Sequence, residues 1–184
     1  GGTSDIAILS LGDIVSSQSV RMAGDKMNTD ITEYIKAKHG LVIGEHSAEQ
    51  IKIKLGTALK VAEPKTMDVR GRDVATGMPR QIQINENEIE EALHDTLDQI
   101  VHAAIAVLET VPPELASDII DRGVMLTGGT ALLHGIDQLF SEKLKVPVVV
   151  SQDPLDNVAK GAGELLERMQ ANPANNGKRK RKRK

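Results

Sequence analysis

The sequence predicts an α/β fold in which a mostly helical section interrupts a strand-rich one. Apolar runs that end at glycine predict strands near both ends of the chain, at 5–11 and at 123–127. Apolar residues at helical spacing fill much of the middle, and the longest such segment is 86–109. A hairpin pattern at 66–84 stands between the helical segments, so the interrupting section is expected to be α+β.

The predicted elements divide the chain into two subdomains. Residues 1–24 and 112–170 carry strands and helices in β-α-β-α order and are expected to form a base α/β subdomain. Residues 25–111 are expected to form the inserted subdomain. Residues 171–184 lack apolar periodicity and end in seven consecutive Lys and Arg residues, which predicts a disordered basic tail.

The first half of the chain begins with a predicted hairpin. The strand at 5–11 alternates apolar residues and is followed by a partner at 14–20. The first helix is expected to end at Gly40, because glycine suits the left-handed position after a helix. Ser47 and Gln50 form a capping-box pattern, which predicts that the second helix opens at Ser47.

The second half is expected to alternate helices and strands. Pro112 and the proline after it end the helix at 86–109. After the strand at 123–127, the apolar spacing predicts a helix at 131–144 and a strand at 146–150. A final helix is expected to have Asp153 as its N-cap and Pro154 in its first turn.

Composition limits the possible classes of function. Tyr34 and Phe140 are the only aromatic residues, so the core must be aliphatic and few rings can stack on nucleic-acid bases. There is no Cys, which excludes disulfides and thiolate metal sites. The net charge is −3, and without the seven basic residues at 178–184 it is −10, which argues against nucleic-acid binding. No apolar run approaches the roughly 20 residues of a transmembrane helix.

Two glycine turns are the main candidates for a ligand site. Gly128 and Gly129 follow an apolar strand and precede a predicted helix, while Gly1 and Gly2 lie beside the first strand. Glycine lets a ligand approach the backbone closely, and a helix start adds unpaired N–H groups. Two such turns suggest a cleft for a phosphorylated ligand. The same corners also occur in α/β proteins without a ligand, so both interpretations stay open on spacing alone.

Other catalytic patterns are missing from the sequence. The five histidines are scattered without a metal-binding spacing, and there is neither a Gly-x-Ser-x-Gly elbow nor a P-loop. Most carboxylates fit solvated helix faces, and a catalytic pair among them is not excluded by sequence. Glu49 and Lys52 lie one turn apart, and on helical spacing alone they predict a solvated ion pair.

Several longer runs carry a family resemblance. They include Gly-Gly-Thr-x-Asp-Ile-Ala-Ile-Leu-Ser-Leu-Gly-Asp-Ile-Val (1–15), Ile-Gly-Glu-His-Ser-Ala-Glu-Gln-Ile-Lys (43–52), Val-Arg-Gly-Arg-Asp-Val-Ala-Thr-Gly-Met-Pro (69–79), Leu-Thr-Gly-Gly-Thr-Ala-Leu-Leu-His-Gly (126–135) and Asp-Pro-Leu-Asp-Asn-Val-Ala-Lys-Gly-Ala-Gly (153–163). On these runs the chain resembles the C-terminal half of the MreB/Mbl family of bacterial actin homologues, from residue 1 to about residue 168.

The resemblance implies a fold and a set of ligand residues. The fold is the ribonuclease H-like fold of actin, sugar kinases and heat-shock-70 ATPases, in which two α/β domains close on ATP. This chain matches the second domain with its inserted α+β subdomain. By position, the second phosphate loop is Gly1, Gly2 and Thr3, the adenosine motif is Gly128, Gly129, Thr130 and Ala131, and the helix that contacts ribose and adenine carries Glu49, Gln50, Ile51 and Lys52.

The resemblance also implies a function. The family binds ATP or ADP with Mg2+, and the magnesium ligands are expected to lie mostly outside this chain. It forms membrane-associated filaments in the cytoplasm at the inner face of the cell membrane, and determines cell shape by organising cell-wall synthesis. Its expected partners are further copies of itself and membrane-bound cell-shape and cell-wall-synthesis proteins, with no nucleic acid. The alternative is another ATPase of the same fold, of the kinase or chaperone type. A filament pelleting assay with ATP and with ADP separates these two classes.

The 184-residue chain alone is expected to be inactive. It begins within a glycine motif and has no initiator Met, so it is expected to be part of a longer protein. The family places the first phosphate loop and the glutamate that positions the attacking water in a first domain. We therefore expect this chain to bind nucleotide weakly and neither to hydrolyse ATP nor to polymerise. Magnesium-dependent phosphate release by the purified chain would contradict this expectation.

Overall fold

A computed structural model describes residues 1–171 of the chain. Helices and short strands alternate along it, and the parts of the tail from residue 172 onward lie outside the described residues. The elements in chain order are β1 (Ser4–Ser10), β2 (Asp13–Val20), α1 (Gly24–His39), β3 (Leu41–Val42), α2 (Glu45–Leu55), β4 (Thr66–Asp73), β5 (Pro79–Asn85), α3 (Glu86–Glu109), α4 (Pro113–Arg122), β6 (Val124–Leu126), a 3-10 turn (Gly129–Leu132), α5 (Ile136–Leu144), β7 (Val148–Val150) and α6 (Asn157–Ala171).

The strands form three small sheets within residues 1–171. Strands β1 and β2 make the predicted antiparallel hairpin, and β4 and β5 make the second one, to which the short β3 adds an edge. Strands β6 and β7 pair in parallel, with α5 as the connection between them. Because β6 and β7 are parallel, their carboxyl ends lie at the same edge, which is where ligands bind in many α/β sheets.

The core is aliphatic, as the composition requires. Helices α1, α2 and α3 contribute most of it, and the only aromatic residue fully inside is Phe140, which is 4% exposed. The largest fully buried side chains come from these helices and from the strands packed against them: Met27, Ile31, Ile35, Leu41, Ile51, Ile84, Ile89, Leu93, Leu97 and Val101.

Helix α3 connects the two predicted subdomains. Its first half packs against α1 and α2, whereas its second half faces the β1–β2 hairpin. Thr110 follows the end of α3, and its hydroxyl oxygen is 2.8 Å from the hydroxyl oxygen of Ser16 in β2. A groove of about 500 Å³ runs between β2 and α3, and none of the predicted ligand residues lines it. The division of the chain into a base subdomain (1–24 and 112–170) and an inserted subdomain (25–111) stays a prediction.

The predicted start of α2 is wrong. The helix begins at Glu45 rather than at Ser47, and Gly44 precedes it in an extended conformation without a side-chain cap. The short strand β3 ends at Val42 and is paired with β4, so the chain enters the helix sooner than the local pattern suggested. The capping box lies instead at α3, where Asn85 and Glu88 satisfy each other's backbone N–H groups.

Two predicted elements after residue 128 are also wrong in their bounds. The helix expected at 131–144 is broken, because Leu133 is extended and Gly135 is left-handed, so α5 starts only at Ile136. The last helix starts at Asn157, and Asp153 lies in a preceding turn in which the Asp156 N–H donates to the Asp153 carbonyl at 2.9 Å. Within residues 1–171, no helix is long and apolar enough to cross a membrane.

Candidate functional site

The start of the chain lies against the start of α1. The Asp25 N–H donates to the Gly1 carbonyl at 3.3 Å. A Cβ added to Gly1 would be 2.6 Å from Asp25 Oδ1, and one added to Gly2 would be 3.3 Å from Asp25 Oδ2. The Asp25 carboxylate therefore occupies the space beside the first glycine turn, and a side chain at position 1 would have to displace it. Thr3 is exposed, and its hydroxyl donates to Asp5 Oδ2 at 3.4 Å.

A polar cluster joins α1 to α2 next to this turn. Lys52 Nζ donates to the Gly24 carbonyl at 3.0 Å and to Glu49 Oε2 at 2.8 Å. Asn28 Nδ2 donates to the same Glu49 oxygen at 2.8 Å. The ion pair predicted from helical spacing is thus present, but it is not solvated on the lysine side, since the Lys52 side chain is only 14% exposed.

Glu49 is a pre-organised, ionised acceptor. The hydrogen bonds from Lys52 and then Asn28 lower the pKa of its carboxyl from the ordinary glutamate value. Both bonds go to Oε2, and Oε1 has no hydrogen-bond partner among the residues that the structure describes. The Glu49 side chain is 40% exposed, so one carboxylate oxygen is available to an external donor.

The other two residues predicted on this helix differ in role. Ile51 is 0% exposed and packs in the aliphatic core, so its side chain does not reach a ligand. Gln50 is half-buried, and its side chain makes no hydrogen bond within the described part of the chain. Glu49 and Lys52 are the predicted residues of α2 whose side chains already form the polar cluster, while the amide of Gln50 is also polar and partly exposed.

The lowered pKa of Glu49 predicts a pH-dependent stability that Glu49→Gln removes. A group with a lowered folded-state pKa stabilises the fold above its unfolded pKa of roughly 4.3 and loses this effect as the pH falls through the folded value. We therefore expect wild type to unfold at higher urea concentration than Glu49→Gln at pH 7, and the difference to shrink as the pH is lowered from about 5 to 3. The matched control is Glu164→Gln, whose partner Arg168 is 3.9 Å away in an exposed pair. A constant difference between wild type and Glu49→Gln across this range would contradict the prediction.

The second glycine turn is open on its outer side. Gly128 has φ +87° and donates its N–H to the Pro154 carbonyl at 2.9 Å. Among the described residues, nothing lies within 4 Å of a Cβ added to Gly128, and only Leu155 Cδ2, at 3.4 Å, approaches one added to Gly129. Thr130 is half-buried and Ala131 is 5% exposed, so this segment can offer mainly its backbone to a ligand.

The helix expected directly after this turn does not supply the helix N-terminus that was predicted for ligand binding. Residues Gly129–Leu132 form a single 3-10 turn rather than the first turn of a long α-helix. The aligned peptide dipoles of a long helix are therefore absent at Gly129. The geometry of the turn favours ligand binding through close approach to its backbone and not through a helix N-terminus.

Helix α2 links the two glycine turns. On the side of α2 that faces the start of the chain, Lys52 Nζ donates to the carbonyl of Gly24, which lies beside Gly1. Beyond its end, the Ala58 N–H donates to the His134 carbonyl at 2.8 Å, and the His134 N–H donates to the Gly56 carbonyl at 3.4 Å. The structure thus brings Glu49 and Lys52 into direct contact with the surroundings of the first turn and ties their helix to the segment that follows the second.

Sequence reasoning missed four polar residues around the site. Asn28 orients Glu49, and its own Oδ1 is buried without a hydrogen-bond partner in the described residues. Thr127, Ser151 and Asn157 form a hydrogen-bonded group behind the second turn. Thr127 ends the strand predicted at 123–127 and Ser151 directly follows the strand predicted at 146–150, so their places at strand ends were visible in the sequence. Asn28 and Asn157 have no comparable signal, since Asn28 binds a residue 21 positions away and Asn157 binds oxygens of two separate segments, at 127 and at 151–152.

Comparison with known proteins identifies the class of fold first. A crystal structure of MreB 5 of Spiroplasma citri bound to AMPPNP superposes with a TM-score of 0.90 at 35% sequence identity, over 96% of this chain and 53% of that one. The chain therefore has the actin-like ATPase fold that the resemblance implied, in a mixed α/β arrangement.

The sequence comparison then gives the family. A family model described as MreB/Mbl protein matches residues 1–174. The cell shape-determining protein Mbl of Bacillus subtilis is 53% identical over 173 residues, which are 94% of this chain and 52% of that protein. The cell shape-determining protein MreB of Escherichia coli K12 is 48% identical over 167 residues, 91% of this chain and 48% of that protein. The chain belongs to the MreB/Mbl family and spans about half the length of these relatives.

Proposed function

We propose that this chain is the ATP-binding half of a bacterial actin-like cytoskeletal protein that determines cell shape by forming membrane-associated filaments and organising cell-wall synthesis. The 53% identity to a cell shape-determining protein over 94% of the chain is the observation that carries the proposal. Self-association into filaments, which the family resemblance implies, belongs to the proposal. The cytoplasm at the inner face of the cell membrane, and the membrane-bound cell-wall-synthesis partners, belong to the proposal.

The proposed ligand is ATP or ADP with Mg2+, held between the two glycine turns. The backbone of Gly1, Gly2 and Thr3 binds the β- and γ-phosphates, and the backbone of Gly128, Gly129, Thr130 and Ala131 lies against adenosine. A solved relative bound to AMPPNP, a nucleotide analogue, supports a nucleotide as the ligand. The Asp25 carboxylate beside Gly1 and Gly2 suits the water shell of a magnesium ion, which would offset the repulsion between that carboxylate and the phosphates.

Glu49 and Lys52 are proposed to hold the ribose and adenine. Within residues 1–171 the Glu49 carboxylate has one unused oxygen, which suits the donor hydroxyls of ribose, and a hydrogen bond to a charged acceptor is stronger than one to a neutral acceptor. In the same described residues, Gly24 and Glu49 use two of the three donors on Lys52 Nζ, which leaves one for an adenine nitrogen. Gln50, which lies between them in sequence, is half-buried, and Ile51 packs beneath this part of α2 in the core.

A pelleting assay on the complete gene product tests the filament function. We expect the protein to sediment at high speed with ATP and Mg2+ and to sediment less when EDTA is added. A protein that stays in the supernatant in every nucleotide state, and that transfers the γ-phosphate to a small molecule or releases it on peptide binding, would instead support the kinase or chaperone alternative.

The basic tail is proposed to attach the filament to the membrane surface. Residues 178–184 carry seven positive charges, each worth about 1 kcal/mol near an anionic membrane, and a filament multiplies weak attachments. The alternative is a solubilising tail without a partner. We expect deletion of 178–184 to reduce co-sedimentation with phosphatidylglycerol-containing liposomes but not with phosphatidylcholine liposomes. Equal co-sedimentation of the deleted and intact proteins would reject the lipid role.

A further inference from the structure

A group of hydrogen bonds lies directly behind the Gly128–Gly129 turn. Thr127 follows β6 and Ser151 follows β7, and since these strands are parallel the two residues are neighbours at the carboxyl edge of the sheet. The Ser151 hydroxyl donates to Thr127 Oγ1 at 3.0 Å, and the Ser151 N–H donates to the Leu126 carbonyl at 2.9 Å. The end of β7 is therefore bound to the residue that precedes the turn.

Asn157, the first residue of α6, binds both strand ends. Its Nδ2 lies 2.7 Å from Ser151 Oγ, 2.8 Å from the Gln152 carbonyl and 3.1 Å from Thr127 Oγ1. An amide NH2 group has two hydrogens, so one of them is shared between two of these oxygens. Asn157 acts only as a donor in this group, and that fixes the direction of the hydrogen bonds beyond it.

The direction of donation runs from Asn157 to the glycine turn. The amide donates to the Ser151 hydroxyl, which donates to the Thr127 hydroxyl, which in turn donates to the Pro154 carbonyl at 3.2 Å. The Pro154 carbonyl also accepts the Gly128 N–H at 2.9 Å. The bond from Asn157 to Ser151 is partly buried, and the two bonds that follow it are exposed to solvent.

The same contacts hold the loop before α6 against the turn. Leu155 lies in this loop, and its Cδ2 would be 3.4 Å from a Cβ on Gly129. The loop is thus one wall of the space next to Gly129. Fixing the Pro154 carbonyl fixes both that wall and the Gly128 backbone, which has φ +87°.

We propose that Asn157 is a positioning residue for the adenosine-binding turn, acting through Ser151 and Thr127 on the Pro154 carbonyl. The inference rests on the proposed nucleotide function and adds a specific consequence to it. The row of hydrogen bonds touches the Gly128–Gly129 turn and not the turn at Gly1–Gly2, to which the phosphates are assigned. Its loss should weaken the binding of adenosine and leave the binding of phosphate largely unchanged.

Asn157→Asp reverses the direction of hydrogen-bond donation in the row while keeping the size of the side chain. A carboxylate cannot donate, so the Ser151 and Thr127 hydroxyls turn towards it and the Pro154 carbonyl loses the Thr127 donor. Measured by calorimetry on the complete gene product, the affinity for ATP and ADP is expected to fall about tenfold. The affinity for tripolyphosphate, which lacks adenosine, is expected to stay within about twofold. Thr127→Val removes the same donor without adding charge and should give the same split.

The matched control is Lys160→Ala. Lys160 lies on the same helix and pairs with Asp153 at 3.0 Å, in the same loop, but this exposed pair has no bond to the row. We expect its affinities for ATP and tripolyphosphate to equal those of wild type.

Comparing ATP and tripolyphosphate affinities distinguishes a failure of the Asn157 inference from a failure of the proposed nucleotide function. If Thr127→Val and any folded Asn157→Asp keep the wild-type ratio of ATP to tripolyphosphate affinity, even with a lower melting temperature, Asn157 has only a structural role and the inference is overturned. If the wild-type gene product binds neither ATP nor ADP, the proposed nucleotide function is overturned together with it.

Discussion

Gly129→Val in the complete gene product is expected to lower ATP affinity about 100-fold or more while leaving the fold near native. The outer side of Gly129 is the space assigned to adenosine, and an isopropyl group would fill it. The surrounding protein accepts the side chain, because the backbone of Gly129 is not left-handed and the nearest atom to an added Cβ is Leu155 Cδ2 at 3.4 Å. Gly128 would be a poorer choice, since its φ of +87° strains any other residue.

The expected measurements separate a blocked site from a damaged fold. The melting temperature without nucleotide should stay close to that of wild type, whereas the stabilisation by added ATP should disappear. Gly161→Val is the control, since nothing lies within 4 Å of an added Cβ at that exposed position of α6. Unchanged ATP affinity in Gly129→Val would show that adenosine does not approach this turn.

The fold was predictable wherever local signals agreed with packing. Helix α3 spans Glu86–Glu109, as its apolar spacing and the following prolines predicted, and Gly40 ends α1 in the left-handed conformation. The errors occur where tertiary contacts override a local pattern. Leu133 is drawn out of helical conformation because its side chain enters the core and the next residue, His134, exchanges backbone hydrogen bonds with Gly56 and Ala58.

The candidate site was predictable in its backbone but not in its supporting polar groups. Glycine pairs beside strands are visible in the sequence, and the resemblance drew attention to Glu49 and Lys52. The bond from Asn28 to Glu49 joins residues 21 positions apart, and Asn157 and Thr127 are 30 positions apart. Single asparagines of this kind occur throughout ordinary sequences, so only the folded arrangement distinguishes them.

The sheet edge that carries the second turn depends on one glycine further back. Gly123 links α4 to β6 with φ +75° and ψ −164°, a conformation that is essentially restricted to glycine. A Cβ there would lie 2.2 Å from the Pro147 carbonyl oxygen. That oxygen accepts the Val124 N–H at 2.8 Å, next to the first pair of the β6–β7 ladder, so it cannot move away without disturbing the parallel pair.

Gly123→Ala should therefore be the most destabilising of the substitutions considered. Backbone strain costs about 1–3 kcal/mol, and the overlap with the Pro147 carbonyl adds a similar amount. The sum is about 2–6 kcal/mol, and for a chain of this size about 4 kcal/mol lowers the melting temperature by about 8–16 °C. Gly161→Ala is the matched control, because in an exposed helix the same change is expected to stabilise by about 0.5–1 kcal/mol. If Gly123→Ala melts at the wild-type temperature in a scan that resolves the Gly161→Ala increase, the strain assigned to Gly123 does not exist and β6 is not held in place by this corner.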